Sequence, residues 1–229
     1  MITIHIRGHI RPLVLVMEYK NPPIKVVLIG KQGVGKTTLA MRYVYNRFDP
    51  HSESTVGVAF MSKVLRVNGK PIVLNIWDTA GSERFNSFVT MYVRGAKFIL
   101  VCFDSIEAEL DSQSVIEEIK RYVDTSKHIV GGQMLGDILL VGTKADHGFD
   151  DGIVIRGKQN IEMYAKENKY KVFYTSSISG VGVESIFEYI ASKCVDMDMT
   201  EVEQNRVDLT ATSTNASTNT CCTSLPFMW

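Results

Sequence analysis

The chain has no excess of charge of either sign: among 229 residues, 25 lysines and arginines balance 25 aspartates and glutamates. Without a basic stripe it has no electrostatic footprint for nucleic acid, and without an acidic tail it has none for histone-like partners. Long apolar runs are also missing, because the longest are strand-sized and a helix that crosses a bilayer needs about 20 residues. We therefore expect a soluble chain that reaches a membrane only if it is lipidated.

Cysteines are few, with four in the whole chain. Cys102 and Cys194 fall in apolar strand and helix patterns, as expected for core thiols in a reducing cytosol. Cys221 and Cys222 are adjacent, so a disulfide between them would be strained. A dual lipid anchor suits this pair, since two chains give stable membrane attachment where one is marginal. Two unmodified, exposed thiols are the alternative.

Composition predicts one globular domain, residues 24–199, between two different ends. Residues 1–23 form an N-terminal extension, and its apolar run 13–17 is too short for a signal-peptide core of about 7 to 15 residues. Residues 1–16 have two interpretations, an upstream extension from a misplaced start or a genuine edge segment with alternating isoleucines. Residues 200–229 are rich in threonine, serine and asparagine and predict a flexible tail.

Apolar periodicity predicts six strands that alternate with five helices. The strands are expected near 24–30, 57–67, 70–78, 97–104, 137–143 and 170–175, and the helices near 36–46, 83–93, 112–126, 158–168 and 183–195. This alternation implies an α/β fold with right-handed crossovers onto a mostly parallel sheet. Asn68-Gly69 between two strand patterns is a strong hairpin signal, so one strand should be antiparallel. Ligands of such sheets bind beyond the carboxyl ends of the strands.

The most specific motif follows the first predicted strand. Gly30 to Thr37 reads GKQGVGKT, a complete G-x-x-x-x-G-K-[ST] phosphate loop. Small glycines let backbone N–H groups surround phosphate oxygens, and the next helix starts with N–H donors aimed at the same oxygens. The motif predicts phosphate contacts from Gly33, Val34, Gly35, Lys36 and Thr38, and a Mg²⁺ contact from Thr37. By itself it does not separate ATPases, kinases and GTPases.

Two further motifs separate these classes. Thr143-Lys144-Ala145-Asp146 follows a predicted strand and resembles the N-K-x-D guanine clamp, in which the carboxylate accepts hydrogen bonds from guanine and the lysine stem covers the base. Adenine lacks that pair of donors, and a site built for such bonds rejects it by about 10⁴-fold or more. The segment 77–85, WDTAGSERF, resembles the W-D-T-A-G-Q-E-R-F element of Rab-type small GTPases with one difference.

From about Ile24 to about Val195 the chain resembles the Rab branch of the Ras superfamily. The resemblance implies a P-loop G domain that binds GTP or GDP with Mg²⁺. It also implies residue roles: Thr55 reaches Mg²⁺ and the γ-phosphate, Asp78 holds Mg²⁺ through water, and the Gly81 N–H senses the γ-phosphate. For the base, it implies an aromatic contact from Phe48 and a loop formed by Ser176, Ser177 and Ile178, of which only the first matches the family's S-A-K.

Three positions differ from the family pattern and bear on catalysis. Ser82 replaces the glutamine that orients the attacking water, and its shorter side chain cannot reach that water while it contacts the γ-phosphate. Gln32 stands where relatives have glycine or serine, so it either crowds an inserted arginine or hydrogen-bonds near the γ-phosphate. Thr143 replaces asparagine, which should loosen the base loop by about 1 kcal/mol. Beside Lys36 and Gly81, the other expected catalytic residues, Ser82 and Gln32 predict slow hydrolysis. The combination of Ser82 and Thr143 resembles that of atypical, weakly hydrolysing Rab proteins.

The resemblance also implies partners and a location. It implies effectors at the two switch loops, an exchange factor, an activating protein of little effect, and prenylation and GDI-type chaperones. Geranylgeranyl groups on Cys221 and Cys222 would carry a monomeric, cytoplasmic protein to the cytosolic face of an endomembrane, in vesicle traffic, although seven residues follow the pair. Two alternatives stay open. One is a degenerate nucleotide-bound scaffold, and the other is an ATP-dependent small-molecule kinase, which Asp146 and Thr55 disfavour.

Overall fold

The structure, a computed structural model, describes residues 22–81, 86–127, 136–146 and 154–195. The predicted extension and tail therefore lie almost entirely outside the described residues, as do Ser82 and the Cys221–Cys222 pair. The described part of the chain folds into an α/β sandwich in which one sheet lies between two layers of helices.

The sheet has six strands, in the order β2-β3-β1-β4-β5-β6. They are β1 (Ile24–Ile29), β2 (Val58–Val67), β3 (Lys70–Thr79), β4 (Phe98–Asp104), β5 (Asp137–Thr143) and β6 (Lys171–Tyr174). Within this sheet β2 and β3 pair antiparallel, and the other neighbours pair parallel. The predicted mostly parallel sheet with one antiparallel strand is confirmed.

The hairpin between β2 and β3 has the turn chemistry that its sequence predicts. Asn68 and Gly69 both have positive φ, at 50° and 79°. A two-residue turn of this kind matches the right-handed twist of the flanking strands, and asparagine and glycine tolerate it best.

Six helices fall within the residues that the structure describes. They are α1 (Lys36–Tyr45), α2 (Asn86–Val93), α3 (Ser105–Leu110), α4 (Ser112–Lys127), α5 (Val154–Glu167) and α6 (183–195). The five predicted helices are present, and α3 is an additional short one. Among the described residues no helix has the length and apolar character needed to cross a membrane.

Helix α5 begins four residues before its predicted start near residue 158, and a glycine in this additional part lies at a close contact between helices. A Cβ on Gly157 would overlap the carbonyl oxygen of Ala108, so the backbone of α3 lies directly against α5 at this point. Glycine in a helix interior costs about 1 kcal/mol relative to alanine. The close approach of the two helices explains why it is tolerated here.

Apolar side chains form two cores, one on each face of the sheet. On one face α1 and α6 pack through residues such as Leu39 and Phe187, and on the other face α2 to α5 pack through residues such as Ile119 and Ile161. Strand β4 is buried at every position, as expected for a parallel strand that is covered on both faces. Because β1 lies between β3 and β4, its crossovers leave in opposite directions and open a crevice at its carboxyl end.

Candidate functional site

The phosphate loop joins β1 to α1 and depends on its glycines for shape. Gly30 has a φ of 143°, and a Cβ there would overlap the carbonyl oxygen of Cys102 on β4. Gly33 has a φ of 81°, and Gly35 caps α1 with a φ of 97°. These left-handed conformations turn the loop around the helix start, where the first N–H groups have no partner inside the helix.

Lys36 is buried at the start of α1 with 5% of its surface exposed. Its ammonium donates hydrogen bonds to the carbonyl oxygens of Gly30 at 2.7 Å and Lys31 at 2.8 Å. Burial lowers the pKa of Lys36, an effect that the nearby negative charge of Asp78 opposes. A buried ammonium held by neutral carbonyls is therefore poised to gain stability from an anion in the adjoining cavity.

Two hydroxyls and a carboxylate meet beside Lys36. The Thr37 hydroxyl donates to Asp78 Oδ2 at 2.6 Å and lies 2.6 Å from Thr55 Oγ1, and the Thr55 hydroxyl lies 3.3 Å from the same carboxylate oxygen. Asp78 is fully buried, and its Oδ1 has no hydrogen-bond partner among the described residues. Burial raises the pKa of Asp78, which the Thr37 hydrogen bond and the charge of Lys36 oppose. Hard oxygen donors around an unsatisfied carboxylate oxygen fit Mg²⁺.

Lys36, Thr37 and Thr55 line a cavity of about 260 Å³ at the carboxyl ends of β1 and β3. Asp78 does not line this cavity itself but is hydrogen-bonded to both threonines. Besides the predicted catalytic residue Gln32, the cavity walls include most of the residues predicted to bind phosphate or metal: Gly33, Gly35, Lys36, Thr37, Thr38, Thr55 and Gly81. Gly81 lies so close to the loop that a Cβ would overlap the Gln32 nitrogen and Lys36 Nζ. The side chain of Val34 instead belongs to the core, so only the Val34 backbone takes part in the loop.

A second cavity, of about 140 Å³, adjoins the first along Gly35 and Thr38. It is lined by the residues predicted to surround a base: Phe48, Thr143, Lys144, Asp146, Ser177 and Ile178. Ser176 lies behind this wall, buried, where its hydroxyl accepts a hydrogen bond from the Ser179 N–H. The structure thus brings the predicted base residues together around one small cavity, with Ser176 in a supporting position.

Thr143 connects the phosphate loop to β4. Its buried hydroxyl lies within hydrogen-bond distance of two carbonyl oxygens, those of Val34 and of Phe103, the second at 2.9 Å. A hydroxyl has one hydrogen and can donate to only one carbonyl at a time, whereas an amide nitrogen has two hydrogens. The predicted loosening relative to asparagine therefore has a specific physical reason here.

Asp104 is a site residue that the sequence pattern did not single out. Its carboxylate pairs with Lys144 Nζ at 2.6 Å and also caps α3 by accepting from the Ile106 N–H. Lys144 has a φ of 56°, a left-handed conformation that the ion pair helps to hold. The strand register could have indicated this pair, because Asp104 and Thr143 lie side by side at the carboxyl ends of β4 and β5.

Arg42 on α1 supports the base cavity from behind. Its guanidinium donates a 2.8 Å hydrogen bond to the carbonyl oxygen of Ile178 and lies beside Gly180. The contact joins residues 136 positions apart. No local sequence signal marks such a contact, and it was not predicted.

Adjacent phosphate-binding and base-sized cavities at the carboxyl edge of a doubly wound sheet define a P-loop nucleotide-binding protein. Comparison with known proteins narrows this class. A family model described as "Ras family" matches residues 25–196. The chain belongs to this family of small GTPases, whose members bind guanine nucleotides, typically with Mg²⁺.

Individual relatives carry Rab-type names. The chain is 33% identical to the Ras-related protein RABF2a of Arabidopsis thaliana over 203 residues. The matched region covers 89% of this chain and 96% of that protein. It is 33% identical to the Ras-related protein Rab-4 of Dictyostelium discoideum over 81% of this chain and 84% of that one. It is 30% identical to RABA2a of Arabidopsis thaliana over 87% of this chain and 94% of that one.

Proposed function

We propose that this protein is a guanine-nucleotide switch of intracellular membrane traffic that hydrolyses GTP slowly. The observation that carries the proposal is the pair of adjoining cavities. The first is lined by the phosphate loop and lies beside Thr37, Thr55 and Asp78, which we call the metal corner. The second is lined by residues of the guanine-clamp motif. A nucleotide laid across Gly35 and Thr38 would place its phosphates in the first cavity and its base in the second.

In this proposal, the protein acts by positioning and by charge. Lys36 and the backbone N–H groups of the loop hold the phosphates, while Thr37, Thr55 and Asp78 would hold Mg²⁺, which neutralises phosphate charge. Asp146 accepts hydrogen bonds from guanine, and Lys144 covers the base. None of these residues forms a covalent bond with the substrate, so hydrolysis depends on how well water is oriented.

Switching follows from the position of two loops at the phosphate cavity. We call residues 46–57, between α1 and β2, the first switch; Thr55 in this segment and Gly81 after β3 both face the cavity. Contacts to a γ-phosphate would order both loops and present them to effectors, and loss of the γ-phosphate would release them.

The direct test is to identify the nucleotide that co-purifies with the full chain and then to measure effector capture by protein loaded with GDP or with a non-hydrolysable GTP analogue. We expect guanine nucleotide in the preparation and capture that favours the GTP-like state. A preparation that binds ATP as tightly as GTP would contradict guanine selectivity. Equal capture in both states would favour a nucleotide-bound scaffold instead.

We expect Thr143→Asn to slow the release of GDP by about 5-fold, because the amide can satisfy both carbonyls with a gain of about 1 kcal/mol. Stopped-flow release of fluorescent GDP measures this rate. Thr143→Val is the matched control: it keeps the side-chain shape but lacks the donor, and it should release GDP faster than the unaltered protein. Release from Thr143→Asn at or above the original rate would show that Thr143 does not limit how tightly the base loop holds GDP.

We expect Thr37→Asn to weaken GTP and Mg²⁺ binding by at least about 10-fold and to bias the protein toward GDP, because it removes a hydroxyl from the metal corner. Titration of fluorescent nucleotides at several Mg²⁺ concentrations measures both effects. Thr37→Ser retains the hydroxyl and should bind nearly as well as the original protein. If Thr37→Asn keeps full affinity for GTP and Mg²⁺, the assignment of this corner is wrong.

Membrane attachment through Cys221 and Cys222 gives a separate prediction for the tail. The double serine substitution should be cytosolic and each single substitution should keep residual membrane binding, since one chain anchors only marginally. Fractionation of cells that express each form measures this, and mass spectrometry of the native protein identifies the modification. An unmodified tail on protein from its own cells would end the proposal of a lipid anchor.

A further inference from the structure

Gln32 makes a contact that its position in the phosphate loop does not require. Its side-chain amide donates a 2.9 Å hydrogen bond to the hydroxyl of Ser54 in the first switch. The next residue is Thr55, whose hydroxyl lies 2.6 Å from that of Thr37 and 3.3 Å from Asp78. The Gln32 bond therefore fixes the residue directly before the one that reaches the metal corner.

Little apolar burial holds this part of the first switch in place. Ser52, Glu53 and Ser54 are exposed, and Val56 is 87% exposed. Segments with few buried apolar contacts open locally at low free-energy cost, so single polar contacts carry a large share of their stability. The hydrogen bonds made by Ser54 and Thr55 are contacts of this kind.

We propose that Gln32 is a positioning residue for the first switch, which holds Thr55 at the metal corner through Ser54 in both nucleotide states. The inference rests on the proposed function and adds to it. A γ-phosphate orders the switch only when GTP is bound, whereas the bond between Gln32 and Ser54 is made within the protein and requires no γ-phosphate. The side chain at position 32 would thus narrow the difference in switch order between the GDP and GTP states.

The size of the effect follows from the strength of one hydrogen bond. A neutral hydrogen bond of ordinary net strength shifts a two-state equilibrium by about 2- to 10-fold, and this one is exposed to water, so we expect about 2- to 5-fold. The shift should appear mainly in the GDP state. In the GTP state the γ-phosphate already keeps the switch ordered, and one further bond changes its population little.

The test compares release of fluorescent GDP with release of a fluorescent, non-hydrolysable GTP analogue from the full chain at saturating Mg²⁺. We expect Gln32→Ala and Ser54→Ala each to speed GDP release by about 2- to 5-fold and analogue release by less than about 2-fold. Because both remove the same bond, the double variant should match the single ones. Ser54→Thr keeps the hydroxyl and should behave like the original protein.

Glu107→Ala is the matched control. It removes the partner of Lys31, whose ammonium makes a second exposed side-chain contact from the same loop, at 3.2 Å, but toward α3 and away from the switch. We expect this control to keep the original ratio of GDP release to analogue release. Melting temperatures of all variants report that each is folded.

The outcomes separate the two proposals. Equal acceleration in both nucleotide states, additive effects in the double variant, or no acceleration at all would overturn the positioning role while leaving the nucleotide switch intact. If the original protein binds neither guanine nucleotide, the proposed function fails, and the role of Gln32 fails with it.

Discussion

In the Asp146→Asn variant we expect affinity for GTP to fall by about 10²- to 10⁴-fold, because the two hydrogen bonds that a carboxylate accepts from guanine are each worth about 1.5 to 3 kcal/mol. Asparagine keeps one acceptor but turns a donor toward the exocyclic amine of guanine. Xanthine carries an oxygen at that position, so the same variant should bind xanthosine triphosphate better than the original protein does. Competition titrations with GTP, xanthosine triphosphate and ATP measure the change.

The control for this prediction is Asp137→Asn, at the other end of β5. It makes the same chemical change at an exposed position at the start of β5, outside the base cavity, whereas Asp146 lies in the loop that follows β5. Its affinities should equal those of the original protein. If Asp146→Asn leaves the affinities for both GTP and xanthosine triphosphate unchanged, Asp146 does not read the base and the assignment of the second cavity is wrong.

Hydrolysis should respond in two steps to substitutions at positions 82 and 32. Ser82→Gln supplies a side chain long enough to orient water and should raise the intrinsic single-turnover rate. Adding Gln32→Gly clears the space for an arginine from an activating protein, which is worth about 10³ to 10⁵ in rate where it can enter. Single-turnover assays with and without an activating protein that works on a relative measure the two effects.

Each step has its own contrary outcome. Hydrolysis by the original protein as fast as that of Ser82→Gln would mean that another group orients the water. Stimulation of Ser82→Gln alone as strong as that of the double variant would mean that Gln32 does not obstruct the arginine. Gln32→Gly also removes the bond to Ser54, so nucleotide release from the double variant must be measured alongside its hydrolysis.

Short sequence patterns predicted the phosphate loop and the hairpin turn correctly because these features depend only on residues close together in the chain. The phosphate loop requires glycines at fixed spacing, and the turn at Asn68-Gly69 requires two residues that tolerate positive φ. The mostly parallel sheet follows from crossover rules that apply to any such alternation of elements, whereas the order of its strands was not predicted. The cavities then form where the carboxyl ends of the strands meet, which is where the motifs had been placed.

The remaining features depend on contacts between distant segments. Helix α5 begins before its predicted start, and the backbone of α3 occupies the space that a side chain on Gly157 in α5 would need. Gln32 was expected to act on an incoming arginine or near the γ-phosphate, and its contact with Ser54 became visible only once the first switch was positioned. Arg42 reaches the loop at Ile178 from another helix. A pattern in a short window of sequence cannot reveal contacts between residues that lie this far apart along the chain.

Helix α6 connects the surroundings of the candidate base cavity to residue 195. The helix starts just after the loop that borders the base cavity and runs for 13 residues, so it ends about 20 Å away from its start. A helix that follows a strand of such a sheet runs back across it, so we expect residue 195 at the end of the domain away from the nucleotide. If the proposed lipid anchor follows this residue, it would hold the domain by the end away from the nucleotide, and a protein that contacts the nucleotide end would not compete with the membrane for the same surface.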